Sequence, residues 1–511
     1  MSRPTSVHAA IAAHRFGLGE PSADGLRDDP QAWLLAQIGP ADSPRGDGLL
    51  STAQALDLVA AERAIRQQAL AAQPSASAAA AGAATAAAAD SQLMRKRTAA
   101  RSSLIPLGGR TTYVVGLGAL SGHYREAIVA DVRCRFVTAT ETQRPFAERL
   151  HLFWCNHFTV SLAKGATRGL VGAFERDAIR PNIAGSFEAL LLAATTHPAM
   201  LRYLDNVYSV GPNSRIVARA ARRAEAIGEG PRVTGLNENL AREVLELHTL
   251  GAESARDVPA AAGGYTQADV TAFARVLTGW RVTPRVNPRG SDSAEAFDPA
   301  WHEPGRKTLL GHQYAEGPDA LRQVLHDLAQ HPATAHFIAT KLARHFVADN
   351  PPAALVDRLA ATYIRRDGAL SEVYRELVRS PEAWSPTAAK LKTPEELDVS
   401  ASRTPGLGAR LFERGDAGGI ATLGQRVHAA PSPAGWSDRA EDWLGPDAVW
   451  KRVEWASRIA DRAGRGIDAR ALAQQSLGDR LADSTRQQID RAADGTQALA
   501  LLLMSPDFQR R

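Results

Sequence analysis

The segment from Leu236 to Gly251 sets ionisable side chains into a stretch that also carries the apolar spacing of a buried helix. Leu240, Val244 and Leu247 recur on one helical stripe, and Gly251 supplies a C-terminal stop. Asn239, Arg242, Glu243 and Glu246 fall on another stripe, where Arg242 and Glu246, like Asn239 and Glu243, are i,i+4 neighbours. A buried charge is costly unless it is paired, hydrogen-bonded or bound to a metal. The segment is therefore either a structural ion-pair element or one wall of a site. In a site, Glu243 or Glu246 would act as base and Arg242 would steady the carboxylates.

Three histidines outside this helix add to the inventory: His14, His157 and His302. Imidazole and carboxylate donors together suit zinc, iron or manganese. The expected ligand set is His157 and His302 with Glu243 and His248, and the expected catalytic residues are Glu243, Glu246, Arg242 and His302. Glu246 and His248 point roughly 160° apart on a regular helix, so one ion takes both only where the helix loosens before Gly251. His302 precedes Glu303-Pro304, which breaks a helix, and so sits on a loop, where functional groups concentrate. The competing reading makes the charges an ion-pair network and His157 a core histidine bonded to a carbonyl or to Glu243. Cys155 and His157 are i,i+2 on a helix and do not face each other, so they make no thiolate–imidazole dyad. Arg215, Arg219, Arg222 and Arg223 form a basic run that either holds an anionic group or is solvated. The chain carries no Walker loop, GxSxG elbow, HExxH or dinucleotide fingerprint.

The elements that must position these groups are helices. The spacing of apolar residues predicts helices over 148–157, 180–196, 237–250 and 269–280. Helical hairpins follow from 318–330, 333–346, 353–365 and 370–380, then helices at 446–462 and 495–504. No strand pattern of convincing length occurs, and no fixed period marks a solenoid. The expected fold is mainly α: a large multi-helix domain with helical hairpins and long loops that gather Trp154, His157, Asn239, Glu243, His248 and His302 around one cleft. Residues 1–70 read as an N-terminal helical layer and 71–102 as an Ala- and Ser-rich flexible insertion with too few apolar anchors to be ordered. Residues 103–393 read as the core that carries the site, and 394–511 as a C-terminal helical extension packed on it.

Across 511 residues the formal charge is only +5, with arginine supplying nearly all the excess over acid, so a nucleic-acid-binding face is not expected. Cys134 and Cys155 are too far apart for a CxxC motif and too few for a disulfide framework. Neither a signal peptide nor an apolar run of membrane-spanning length is visible, so the chain reads as soluble and cytoplasmic, with export beside a signal-bearing partner left open.

Several motifs in order resemble the bacterial domain of unknown function 1800. They are His14-Arg15-Phe16-Gly17-Leu18-Gly19, the run Phe153 to Val160, Tyr203-Leu204-Asp205-Asn206, Gly235 to Asn239, and Ala241-Arg242-Glu243 through His248-Thr249-Leu250-Gly251. Gly264-Tyr265-Thr266-Gln267, Leu277-Thr278-Gly279-Trp280, Trp301-His302 and Ser505-Pro506-Asp507-Phe508 complete the series. The resemblance covers almost the whole chain. It implies a second histidine in the Phe-Trp-x-Asn-His-Phe motif, where this chain has Cys155. It also implies relatives associated with the envelope and a sulfatase-like companion protein. Two functions are expected from these readings: a metal-assisted, hydrolase-like enzyme with a His/Glu cleft, or a non-catalytic helical scaffold for an anionic glycan or a partner protein.

Overall fold

The computed structural model describes residues 7–26, 28–71, 122–227, 235–252, 264–282, 295–403, 408, 417–463 and 466–511. The fold is mainly α. Beyond residue 71, the Ala- and Ser-rich stretch 71–102 lies outside the described residues. Helix α1 (Val7–Ile11) continues as a π-helical turn (Ala12–Phe16), followed by α2 (Pro30–Leu35) and α3 (Thr52–Ala71). Then come α4 (Gly122–Glu141), α5 (Pro145–His157), and α6 (Val171–Phe174) running into a second π turn (Glu175–Ile179). They are followed by α7 (Phe187–Thr196), α8 (Pro198–Tyr203) and α9 (Arg215–Ile227).

Helix α10 (Asn239–Glu243) passes into a third π turn (Val244–Thr249). The five-residue repeat is visible where the Leu250 N–H donates to the Leu245 carbonyl at 2.9 Å. It also changes the buried face. On a regular helix Leu247 would follow Leu240 and Val244 inward, but here His248 is sealed and Leu247 is half-buried. The same shift takes Glu246 out of register with Arg242. Arg242 instead reaches back to Glu238 at 3.4 Å and to Gln267 at 2.9 Å, with 42% of its side chain exposed. The buried Arg242–Glu246 pair expected from i,i+4 spacing is thus replaced by a solvated Arg242–Glu238 pair. Arg242→Ala should cost under about 1 kcal/mol in chemical denaturation; a loss of several kcal/mol would contradict this placement.

Helix α11 (Gln267–Leu277) opens on a capping box between Thr266 and Asp269. It stops before Gly279 (φ +89°), where an added Cβ would lie 2.9 Å from the Asp298 carbonyl. Two small antiparallel hairpins follow: β1 (Trp280–Val282) with β2 (Glu295–Phe297), and β3 (Lys307–Leu309) with β4 (His312–Tyr314). Leu310 and Gly311, both at positive φ, make the two-residue turn of the second hairpin. Strands of three residues are too short to show a period of two, which is why the sequence carried no strand signal.

Helices α12 (Asp319–Gln330), α13 (Pro332–Phe346), α14 (Ala353–Arg365) and α15 (Leu370–Arg379) form the expected hairpins. Helix α16 (Pro394–Ser402) opens on a second capping box, Thr393 with Glu396. The chain closes with α17 (Pro446–Ala463), α18 (Ala469–Leu477), α19 (Asp483–Asp490), α20 (Gly495–Met504) and α21 (Pro506–Gln509). One hydrophobic cluster extends from Ile11 through α5, α10 and α13–α15 to Phe508, so the last helices share the core with the first.

Buried ion pairs cross that core. Glu148 on α5 accepts both terminal nitrogens of Arg180, at 2.7 and 2.8 Å. Arg149, Glu396 and the C-terminal Arg511 form a buried triad. Arg135 on α4 bridges Glu175 at 2.6 Å and Glu395 at 2.5 Å. These pairs fix α4, α5, the second π turn and α16 around one small space.

Candidate functional site

Of the motif histidines, His157 and His248 pack together, whereas His302 and His14 have other partners. His157 lies at the end of α5 among the rings of Trp154, Phe158, Phe187 and Phe337. Its Nε2–H donates to the His248 backbone carbonyl at 3.2 Å, and its Nδ1 has no partner among the described residues. His248 packs beside it, 6.0 Å between ring centroids, and burial together with the nearby Lys341 ammonium pushes its pKa down to about 3. His302 belongs to a different cluster. Its Nδ1–H donates to the Thr278 carbonyl at 2.7 Å and its Nε2 accepts from Lys307 at 2.9 Å, so neither nitrogen keeps a lone pair for a metal. His14 is buried, donating from Nε2 to the Ser476 carbonyl at 3.0 Å and accepting from Lys392 at Nδ1.

Glu243 and Glu246 do stand together, half-buried. Burial first, and then Glu246, raises the Glu243 pKa. The ligand set His157, His302, Glu243 and His248 nonetheless does not assemble. Among the described residues, three metal-donor side chains converge elsewhere: His151 and Cys155 on α5, and Glu175 in the second π turn.

Their donor atoms all lie within 4.8 Å of one another. His151 and Cys155 are i,i+4, one above the other on α5, with 3.5 Å between the His151 Nε2 and the Cys155 sulfur. The Glu175 carboxylate faces them, one oxygen held by Arg135 at 2.6 Å and the other by His428 Nε2 at 3.2 Å. Burial holds the Cys155 thiol well above its usual pKa and the His151 imidazole well below. Burial would also raise Glu175, but Arg135 and His428 outweigh it and keep the carboxylate ionised. His428 adopts φ +54°, a left-handed conformation rare outside glycine and recurrent at functional sites.

Cys155, Glu175 and His428 open onto a cavity of about 80 Å³ whose other walls include Arg149, Trp436 and Asp438. That is room for a few water molecules or one small polar group. On another wall His345 from α13 sets its Nδ1 3.2 Å from Asp438, while its Nε2 has no hydrogen-bond partner and lies 3.9 Å from Glu396. Burial lowers the His345 pKa against the raising effects of Asp438 and Glu396, with Arg511 adding to the lowering. A neutral imidazole with its N–H on a carboxylate and its second nitrogen unpartnered is the arrangement of a general base.

The loop carrying His428 and Asp438 is clamped to α5. Asn156 donates to the Trp436 carbonyl and accepts from the Trp436 N–H, each at 2.8 Å. Ser161 donates to the Ala430 carbonyl, and the His428 carbonyl accepts from Leu162. Gly435 (φ +82°) makes the clamp fit, since an added Cβ would lie 2.5 Å from the Asn156 carbonyl oxygen. Gly435→Ala should therefore cost at least about 1–2 kcal/mol for the left-handed backbone alone, with the contact adding to it. Thermal melting checks this, and an unchanged melting temperature would show that the loop is not seated this way.

The described core runs from Ile11 to Phe508, and a family model described as protein of unknown function (DUF1800) matches residues 11–510. The chain belongs to this family. No curated protein and no solved structure matches it. The DUF1800 motifs contribute Leu18, Phe153, Cys155, Asn156, Thr159 and Val160 to the walls of the α5 cavity, while His157 and His248 pack against each other outside those walls and His302 is hydrogen-bonded to Thr278.

The sequence held one usable signal for the donor set. The i,i+4 rule that separates Cys155 from His157 pairs it with His151. Glu175, His345 and the loop that carries His428 and Asp438 are three further segments, and no motif marks them.

Proposed function

We propose that this DUF1800 protein is an enzyme of the hydrolase class whose chemistry takes place in the α5 cavity, with His345 as general base oriented by Asp438. The observation that carries the reading is that His345 lines the cavity with its Nδ1 engaged by Asp438 and its buried Nε2 without a hydrogen-bond partner, so that a small movement of the ring would present Nε2 to a water in the cavity. A water in the cavity gives its proton to Nε2 as its oxygen bonds to the electrophilic carbon, phosphorus or sulfur of an ester. The bond to the leaving oxygen then breaks, and the proton on His345 passes to that oxygen. The test is turnover of p-nitrophenyl acetate, phosphate and sulfate by the full chain. Hydrolysis of one of the three, lost in His345→Ala, supports the reading, and silence on all three overturns it.

A second reading, the scaffold for an anionic glycan, is favoured by α9, where Arg215, Arg219, Arg222 and Arg223 are all exposed. Salt-sensitive retention on heparin, weakened by Arg219→Ala with Arg222→Ala and Arg223→Ala, would support it.

A further inference from the structure

We infer that His151, Cys155 and Glu175 form a zinc site with its fourth position open to the α5 cavity, and that His428 holds the Glu175 ligand in place. The inference rests on the geometry of the donor set and is independent of the residue assigned as general base.

The spacing fits zinc. Bonds of about 2.3 Å to sulfur and about 2.0 Å to nitrogen at a tetrahedral angle place the two ligand atoms about 3.5 Å apart. His151 Nε2 and Cys155 Sγ are 3.5 Å apart. The Glu175 carboxylate lies within 4.8 Å of both, a limit wider than the tetrahedral edge of about 3.5 Å, so a small inward rotation would make it the third ligand and leave the fourth corner free. Three protein ligands with an open position is the stoichiometry of catalytic rather than structural zinc. The donor types agree, because a thiolate beside an imidazole and a carboxylate favours zinc over the harder cations magnesium and calcium.

The charge around the donors also asks for a cation. Glu175 and Glu395 face the single guanidinium of Arg135, so with a neutral His428 on Glu175 one negative charge is left in a buried pocket. Loading a metal displaces the Cys155 thiol proton to solvent, and the resulting thiolate makes the cluster doubly negative, matched to a divalent ion. Glu175 can ligate without losing its anchors. Arg135 holds one carboxylate oxygen, and His428, donating from Nε2 at 3.2 Å, orients the other. The left-handed backbone at His428 is then accounted for: it aims the ring at the carboxylate from a loop already clamped to α5 by Asn156.

A buried S–H···N hydrogen bond between Cys155 and His151 would give the same 3.5 Å separation without any metal, so the experiment must read the ion itself. The full chain is freed of metal, reloaded separately with zinc and with cobalt(II), and analysed for metal content and visible absorption. The expected result is about one zinc per chain and a thiolate-to-cobalt charge-transfer band. Cys155→Ser should abolish the band, and His428→Gln should weaken zinc binding about 10–100-fold while keeping it. Circular dichroism melts establish that each variant is folded. No zinc uptake by the folded wild type, or a cobalt spectrum indifferent to Cys155→Ser, overturns the inference. His345→Gln separates the two proposals: it should keep the full complement of zinc, whatever its effect on ester turnover.

Discussion

Glu396→Gln should destabilise the protein by roughly 3–5 kcal/mol, the cost of leaving buried charge uncompensated. Glu396 Oε1 accepts from Arg149 at 2.6 Å and from Arg511 at 2.8 Å, and Oε2 accepts from Arg511 Nε at 3.1 Å, with all three side chains buried. The neutral amide keeps the shape and much of the capping box but leaves two guanidiniums facing each other inside the core. The triad joins α5, α16 and the last residue of the chain, so its loss loosens the cavity as well as the fold. Arg149 and Arg511 hold the carboxylate well below the usual range even though burial alone would raise it. A depressed carboxylate contributes stability above its unfolded pKa and loses it as pH falls towards the folded value, so this contribution should fade below about pH 4. Urea denaturation of wild type and variant measures the difference, and a loss under about 1 kcal/mol would show that the triad is solvated.

The largest expected functional effect is at His345. Removing a general base lowers kcat by about 10²–10⁴-fold, so His345→Ala should lose that much ester turnover with little change in KM. Asp438→Asn should leave the ring in place but fail to hold the proton on Nδ1, lowering kcat by a smaller factor. Because burial keeps the His345 pKa below the ordinary histidine value, the acidic limb of the wild-type pH–rate profile should lie below about pH 6.5. In Asp438→Asn that limb should move further down, since a raising influence is lost. A His345→Ala variant as active as wild type, or an acidic limb above the histidine range, would remove His345 from the mechanism.

Much of the fold was legible because helices write their period into sequence. Helices α14 and α20 match the expected spans, and α12, α13 and α17 differ by a residue at an end. The stretch 180–196 was legible only in its second half, since Pro181 and Gly185 fall in the short turn before α7. The π turns were not legible. A five-residue repeat in the middle of a helix leaves composition unchanged yet exchanges Leu247 for His248 at the core and frees Arg242 from Glu246.

The site was harder to read. Histidines in motifs drew attention to His157 and His302, but a hydrogen-bonded histidine and a reactive one are the same letter, and only the partners on Thr278, Lys307 and the His248 carbonyl distinguish them. The cavity is built instead from α4, α5, the second π turn, α13, α16 and the loop around His428, segments separated by up to hundreds of residues. Long-range ion pairs, hydrogen bonds and a shared hydrophobic core bring them together, and such contacts between distant segments leave no periodicity to detect.

X-ray absorption at the zinc edge tests most directly the claim that His151, Cys155 and Glu175 beside the α5 cavity form a zinc site. The expected spectrum of the zinc-loaded chain has one sulfur at about 2.3 Å and nitrogen or oxygen neighbours at about 2.0–2.2 Å, with the sulfur shell missing in Cys155→Ser. A spectrum with only nitrogen and oxygen neighbours in the wild type, or no bound zinc at all, would contradict it.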